Sequence, residues 1–257
     1  MVREFKDGKL YNGDCLEVML LLDDKSVDLI LCDLPYGTTR SKWDAIIPFD
    51  KMWEQYERII KDNGAIVLTA SQPFTSALLM SRPELFKYEW IWEKSRGSNF
   101  VHSKFQPLKC HESALVFSKS PAAYNKKNNY MRYFPQMKSG DPYDKGIVQN
   151  DSKILQGTYK FYSGDNTSGD RFPRSVQYFS SDSDKMDRGL HPTQKPVELF
   201  EFFIKTYTSK GDVVLDNCSG SGTTGVASIN TERRFILIEK EINYFNVSSE
   251  RIEKKYK

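Results

Sequence analysis

The sequence predicts an α/β protein built on a mostly parallel, seven-stranded sheet with helices on both faces. Three observations carry that expectation. Short apolar runs alternate along the chain with longer amphipathic stretches. One of those runs, residues 27–33, is continuously apolar apart from its aspartates, as a strand covered on both faces requires. A Gly-rich turn at residues 217–222 joins a short apolar strand directly to a helix start.

Taken in order, the candidate strands are residues 9–13, 27–33, 65–70, 88–93, 113–118, 213–216 and 235–239. A helix begins near Pro48, with Met52, Trp53, Tyr56, Ile59 and Ile60 on one face, and Asn63-Gly64 supplies a C-cap. A second starts after Thr193 and aligns Leu199, Phe200, Phe203, Ile204 and Tyr207, ending before Gly211. The last runs from about Tyr244 to the end. Residues 121–190 break this rhythm. They hold eleven Lys/Arg, eight Asp and no Glu, and also eleven Tyr/Phe, too many aromatics for a disordered linker. They are expected to form a folded, irregular or β-rich insertion within a domain made of residues 1–120 and 191–257.

Composition excludes several classes. Hydrophobic residues make up 39% of the chain, and no apolar run approaches the length of a membrane span. The first residues, Met1-Val-Arg-Glu-Phe-Lys6, lack a signal peptide's apolar stretch, so a soluble cytoplasmic protein is expected. Cys15, Cys32, Cys110 and Cys218 are far apart in sequence and carry no zinc spacing; free, buried thiols and no metal site are expected. The net charge of +3 does not argue for nucleic acid by itself, so local charge has to carry that case.

Two motifs carry chemistry. In Val213-Val-Leu-Asp-Asn-Cys-Ser-Gly-Ser-Gly-Thr-Thr-Gly225, the segment Gly220-Ser-Gly-Thr-Thr-Gly225 spells G-x-G-x-x-G, and Glu239 ends the next strand, where a carboxylate suits a ribose diol. No Lys-Ser/Thr follows the last glycine, which argues against a phosphate P-loop. NAD is the rival on this motif alone. Only one more strand and one helix follow the loop, however, which suits a cofactor with a single ribose and adenine better than a dinucleotide. The second motif is Asp33-Leu-Pro-Tyr36, delivered by the apolar run to a strand's carboxyl end. An aromatic amine is a poor nucleophile, because its lone pair is delocalised into the ring. Two acceptors on its hydrogens, the Asp33 carboxylate and the Leu34 carbonyl, would draw that pair out of conjugation. Pro35 keeps Leu34 extended and Tyr36 offers a stacking face. The same tetrapeptide also suits a strand-ending turn with a capping Asp and a core Tyr.

These two motifs in this order resemble the class β amino-methylating DNA methyltransferases, with Asp-Pro-Pro-Tyr early, the cofactor loop late and a target-recognition region between. The resemblance covers nearly the whole chain. Asn12-Gly-Asp14 is similar to the segment beside the cofactor's adenine, His191-Pro-Thr-Gln-Lys-Pro196 to the one closing over its methionine part, and Trp92-Glu-Lys94 with His111-Glu112 to segments around the catalytic cleft. It implies a Rossmann-like methyltransferase fold with circularly permuted motifs, and S-adenosylmethionine as cofactor. It further implies Asp33, Leu34, Pro35 and Tyr36 as the catalytic turn. The implied cofactor contacts start with Asp14, Cys15 and Asp33, continue with His191, Thr193, Gln194 and Lys195, and add Glu239 and Lys240. The glycine loop would supply Asp216, Asn217, Cys218, Ser219, Gly220, Ser221, Gly222, Thr223 and Thr224. The chain departs from the family pattern at Leu34, usually Pro, and at Asn217-Cys218, usually Pro-Phe. Family enzymes acting on cytosine usually have Ser where Asp33 stands, which favours adenine N6; cytosine N4 is the alternative.

The reaction needs no protein nucleophile, and the target base must leave the duplex stack to reach the turn. Double-stranded DNA is therefore the expected partner, and the resemblance adds a homodimer and a cognate restriction endonuclease. From Lys94 to His111 there are Lys94, Arg96, Lys104 and Lys109, two His and no acid, with Phe100 and Phe105 interleaved. This stretch and Arg132, Lys138, Arg171 and Arg174 of the insertion are the candidate DNA contacts. A non-catalytic binding module, a nicotinamide oxidoreductase and an RNA or protein methylase are the rivals. The first predicts a damaged turn, the second a cofactor loop near the start of a longer sheet, and the third the glycine loop ahead of the turn.

Overall fold

The structure is a computed structural model that describes residues 1–39, 41, 44–123, 127–144, 166–181 and 194–257. The strands are β1 (Val2–Phe5), β2 (Gly8–Asn12), β3 (Val27–Asp33), β4 (Ile60–Ala70), β5 (Phe86–Ser98), β6 (Lys109–Phe117), β7 (Val176–Phe179), β8 (Val213–Asp216) and β9 (Arg234–Glu239). The helices are α1 (Cys15–Met19), α2 (Phe49–Ile59), α3 (Phe74–Ser81), α4 (Val197–Tyr207), α5 (Thr223–Asn230) and α6 (Ile242–Glu253). All nine strands join one sheet in the order β1-β2-β9-β8-β3-β4-β6-β5-β7. β1 and β6 run against the rest.

The seven expected strands are all present, and two more flank them. β1 and β7 are four-residue edge strands; β1 is largely exposed and β7 turns only Gln177 and Phe179 inward, so neither sequence carries a run of buried apolar residues. β7 lies inside the expected insertion, yet it pairs with Ile91–Lys94 of β5 and belongs to the sheet.

β3 sits at the centre because both its faces are apolar. Leu29 and Leu31 pack with α4 and α5 through Phe200, Phe203, Ile204, Val226 and Ala227. Ile30 and Cys32 pack on the opposite face with Met52, Trp53 and Tyr56 of α2 and with Phe74 and Leu78 of α3. α6 closes the far end over Leu10, Phe235 and Leu237. The expected helix from Pro48 buries the expected face but stops at Ile59. Ile60 is already extended and pairs with Val27, so Asn63-Gly64 lies inside β4 and caps nothing. Gly64 serves close approach instead, since a Cβ there would stand 2.8 Å from the Asp28 carbonyl oxygen.

The chain divides into two compact units, Met1–Phe134 with Ser175–Lys257, and Pro135–Arg174. Among its described residues the smaller unit contains two antiparallel bridges, Lys138 with Arg171 and Tyr143 with Asn166. Among the described residues no helix is long and apolar enough to cross a membrane.

Candidate active site

β8 and β3 are neighbours at the middle of the sheet, and the chain leaves them in opposite directions, β8 toward β9 and β3 toward β4. Such a switch point opens a crevice beyond the strands' carboxyl ends. Here those ends are Asp216 and Asp33, and both line one cavity of about 550 Å³.

Asp33 is surrounded by donors. Its Oδ1 accepts from the Tyr36 hydroxyl at 2.8 Å and from Thr69 Oγ1 at 2.5 Å. Its Oδ2 accepts from Lys195 Nζ at 2.6 Å. The Lys195 side chain is only 6% exposed and lies 3.5 Å from Glu112 Oε2 as well. Glu112 in turn pairs with Lys94. Acids and cations therefore alternate along the wall: Asp33, Lys195, Glu112, Lys94. Burial pulls the Lys195 ammonium toward deprotonation, but the two carboxylates outweigh it and hold it above its ordinary range. Burial opposes the charge on Glu112 too, and the two lysines outweigh it, so its carboxyl is held down. Leu34 is buried in the core, which anchors the turn, and Tyr36 stacks on Phe74 with ring centroids 5.1 Å apart.

The loop after the turn is braced by Asp44, which accepts from the backbone amides of Gly37, Thr38 and Thr39 at 2.9, 2.9 and 2.6 Å. Burial raises the Asp44 carboxyl, and the amides more than offset it, so the group is held low.

Opposite, Asp216 shapes the glycine loop from beneath. It accepts from the Cys218 amide at 3.0 Å and from the Thr224 hydroxyl, and burial pushes its carboxyl up to about 6. Glu239 accepts from the Gly220 amide and the Glu241 amide, both at 2.8 Å, and burial pushes its carboxyl up to about 7. Asp14 caps α1 through the Leu16 amide at 3.0 Å and meets Lys240 Nζ at 3.1 Å.

Most of the residues singled out in the sequence converge here: Asp14, Cys15, Asp33 to Tyr36, Gln194, Lys195, Asp216 to Ser221, Thr223, Glu239 and Lys240 all line the cavity. Gly222 and Thr224 do not. Gly222 caps α5 with φ +79°, and a Cβ there would stand 2.3 Å from Ser248 Oγ; Thr224 is buried against Asp216. His191 and Thr193 lie outside the described residues. Three buried polar atoms on cavity-lining residues, Glu112 Oε2, Gln194 Oε1 and Ser219 Oγ, have no hydrogen-bond partner among the described residues, though Glu112 Oε2 keeps its 3.5 Å ion pair with Lys195.

Three of the expected DNA contacts have partners within the protein. Lys94 faces Glu112 within the wall. Arg132 bridges Asp28 and Asp212 at the amino ends of β3 and β8, the end of the sheet remote from Asp33. Arg171 donates to the Gly169 and Asp141 carbonyls and lies over the Tyr143 ring, bracing its own unit. Lys138 pairs with Arg171 through backbone, and Arg174 ends that unit. Arg96, Lys104 and Lys109 lie on the β5–β6 hairpin.

Sequence spacing also hid a thiol cluster. Cys15, Cys32 and Cys218 are free and pack together under the glycine loop; Cys110 is free and exposed. Burial pushes the Cys32 thiol up to about 12. Cys15 rises mainly through its hydrogen bond with Cys218, with burial adding to it. Among the described residues no group of His, Cys, Asp or Glu could hold a metal ion.

The N6/N4 methyltransferase family model, described as DNA methylase, matches residues 27–250. The chain belongs to the N6/N4 DNA methylase family. Its cofactor is accordingly S-adenosylmethionine. The methylase is 26% identical over 273 residues to the type II methyltransferase M2.MboI of Moraxella bovis, covering 96% of this chain and 88% of that one. M.HpaI of Haemophilus parainfluenzae is 25% identical over 264 residues, 97% of this chain and 76% of the relative. Among solved structures, the complex of M1.HpyAVI with S-adenosylmethionine matches with a TM-score of 0.60 at 23% identity, over 95% of the methylase and 98% of that chain. The cytosine-N4-specific PvuII methyltransferase matches at 0.67 and 18%, over 98% and 92%. These structural likenesses establish the fold.

Proposed function

We propose that the methylase transfers a methyl group from S-adenosylmethionine to the N6 amino group of adenine in double-stranded DNA, with Asp33 and the Leu34 carbonyl accepting from that amino group. The observation that carries this reading is the opening of the Asp33–Tyr36 turn and the glycine loop into one cavity. S-adenosylmethionine supplies a methyl on a sulfonium, already a good leaving group, so the protein's share is alignment.

The wall suits that cofactor. The Glu239 carboxylate beside the Gly220 amide is fitted to a ribose diol, and Gln194 Oε1 and Ser219 Oγ are buried polar atoms in want of a partner. Asp14, Cys15 and Lys240 would border the adenine side; Lys195 and Gln194 the methionine side.

Asp33 is prepared for one more donor. A carboxylate has about four lone-pair sites. Thr69 and Tyr36 fill the two on Oδ1, and Lys195 takes one on Oδ2, so Oδ2 retains a site for a base amino hydrogen. The alternation of Lys195, Glu112 and Lys94 behind it holds that oxygen in position while keeping the wall near neutrality. Asp33 in place of serine supports adenine over cytosine. The type II names of the relatives support a companion restriction endonuclease.

Asp33→Ala tests the assignment. Methyl transfer to DNA should fall by at least about a hundredfold while cofactor affinity, measured by calorimetry, stays within about threefold. Loss of cofactor binding would assign Asp33 to the cofactor instead, and an unchanged rate would remove it from the chemistry.

A further inference from the structure

Strands β5 and β6 form a hairpin whose neck lines the cavity and whose tip carries exposed apolar side chains. Trp92, Lys94 and Glu112 are cavity wall. β5 runs parallel to β3, because each is antiparallel to β6 or parallel to β4 in the chain of pairings between them. The tip therefore leaves the sheet at the same end as Asp33. Between the pairs Glu93–His111 and Ser98–Lys109, β5 advances five residues where β6 advances two, a bulge of the kind that re-aims a strand beside an active site. Gly97 lets Leu108 close across the neck, since a Cβ there would stand 2.8 Å from Leu108 Cβ.

Beyond the neck the backbone folds on itself. His102 donates to the Asn99 carbonyl at 3.1 Å, Ser103 to Phe100 at 3.1 Å, and Phe105 and Gln106 to His102 at 2.8 and 3.0 Å. This ordered knuckle turns its apolar side chains outward: Val101 is 89% exposed, Phe105 87% and Phe100 64%. Three large apolar groups held in water by a hydrogen-bonded turn call for a partner that covers them. Lys104, His102 and Lys109 flank them, and residues 94–111 contain no acid. An apolar centre with a cationic rim complements a nucleic-acid duplex, whose phosphates meet the rim and whose base faces meet the centre.

We propose that this tip is a wedge: Val101 and Phe105 enter the duplex beside the target and fill the stack from which the base is extruded, with Lys104 and Lys109 on the flanking phosphates. The proposal rests on the reading that the substrate is a base in duplex DNA. Extrusion sacrifices pairing and stacking, and an apolar side chain in the gap restores contact to the neighbouring bases.

The test uses the full-length enzyme and a duplex carrying the site mapped for the wild type by sequencing its methylated DNA. Single-turnover methylation is measured with the target base normally paired and with it opposite an abasic nucleotide, where extrusion is easier. The double variant Val101→Ala, Phe105→Ala removes only exposed side chains and keeps the fold. It should lose about tenfold or more on the paired target and less than about threefold on the abasic-opposed one, with cofactor affinity unchanged. Equal losses on the two duplexes, or none on the paired one, would overturn the wedge while leaving DNA methylation intact. Variant-sensitive binding to phosphatidylglycerol vesicles with an unchanged duplex rate would assign the tip to a membrane surface and overturn it likewise. A wild type that methylates no DNA would refute the parent reading, and the wedge with it.

Discussion

Strand β3 carries an aspartate near each end, and both meet cations. Asp28 is 2% exposed; its Oδ1 meets Lys61 at 2.7 Å and Arg132 at 3.1 Å, and its Oδ2 accepts from the Val213 amide at 3.0 Å. Asp33 is 21% exposed and meets Lys195, Thr69 and Tyr36. Charge and pairing look alike at the two ends, and neither distinguishes a site from a strut. What differs is the surroundings. The lone-pair sites of Asp28 point at three protein donors that tie β3, β4 and β8 together at their amino ends. Each aspartate keeps one lone-pair site on Oδ2, but Asp33 lies at the carboxyl end and lines a cavity that continues to the glycine loop, so its remaining site is within reach of a ligand. Open α/β sheets bind ligands at that end and are knit together at the other.

The difference can be broken experimentally from either side. The largest effect is at Asp33, where alanine should cost at least about a hundredfold in methyl transfer. Asp28→Ala should do the reverse: leave the rate per folded molecule unchanged and lower the unfolding free energy by about 2–4 kcal/mol, read from urea titration, because a buried carboxylate's donors lose their partner. A variant of Asp28 that folds normally but methylates slowly would erase the distinction between the two ends.

Glu239 sharpens the comparison at the ligand end. Burial holds its carboxyl up at about 7, so the group contributes stability to the free protein below its ordinary value of 4.5, and that contribution is lost as pH rises through about 7. Cofactor affinity should move the opposite way, strengthening from pH 6 to pH 8 as the carboxylate forms. Glu239→Ala should weaken affinity by about tenfold to a hundredfold and flatten that pH dependence. An affinity unchanged in the variant would remove Glu239 from the cofactor's ribose.

The smallest effect is at Arg132. Arg132→Met should cost about 1 kcal/mol of stability, with the salt dependence of DNA binding unchanged, whereas Lys104→Ala should reduce the slope of log K against log salt by about one. A reduced salt slope in the Arg132 variant would return that residue to the DNA interface.

Much of this arrangement was legible in the sequence, for identifiable reasons. The seven interior strands are buried on one or both faces, so their residue types betray them; β1 is an exposed edge and β7 buries only Gln177 and Phe179, so neither is betrayed in that way. The glycine loop and the Asp33–Tyr36 turn are contiguous, so each can be read as a unit. The Asp33–Lys195–Glu112–Lys94 alternation is assembled from β3, the segment before α4, β6 and β5, and no local pattern links those segments. Glu112 stood beside His111 in a recognisable stretch, but its task depends on Lys195, 83 residues away in sequence. The same limit explains the hidden Cys15–Cys32–Cys218 cluster and the ion pairs of Arg132: nothing local in the sequence marks the carboxylates it faces, Asp28 and Asp212.

The most direct test of the central claim is to incubate the protein with S-adenosylmethionine and unmethylated DNA, digest to nucleosides and identify the product by mass spectrometry. N6-methyladenine is the predicted product. N4-methylcytosine would keep the geometry of the turn and contradict the base; no methylated base, from protein shown to bind the cofactor, would contradict the proposed reaction itself.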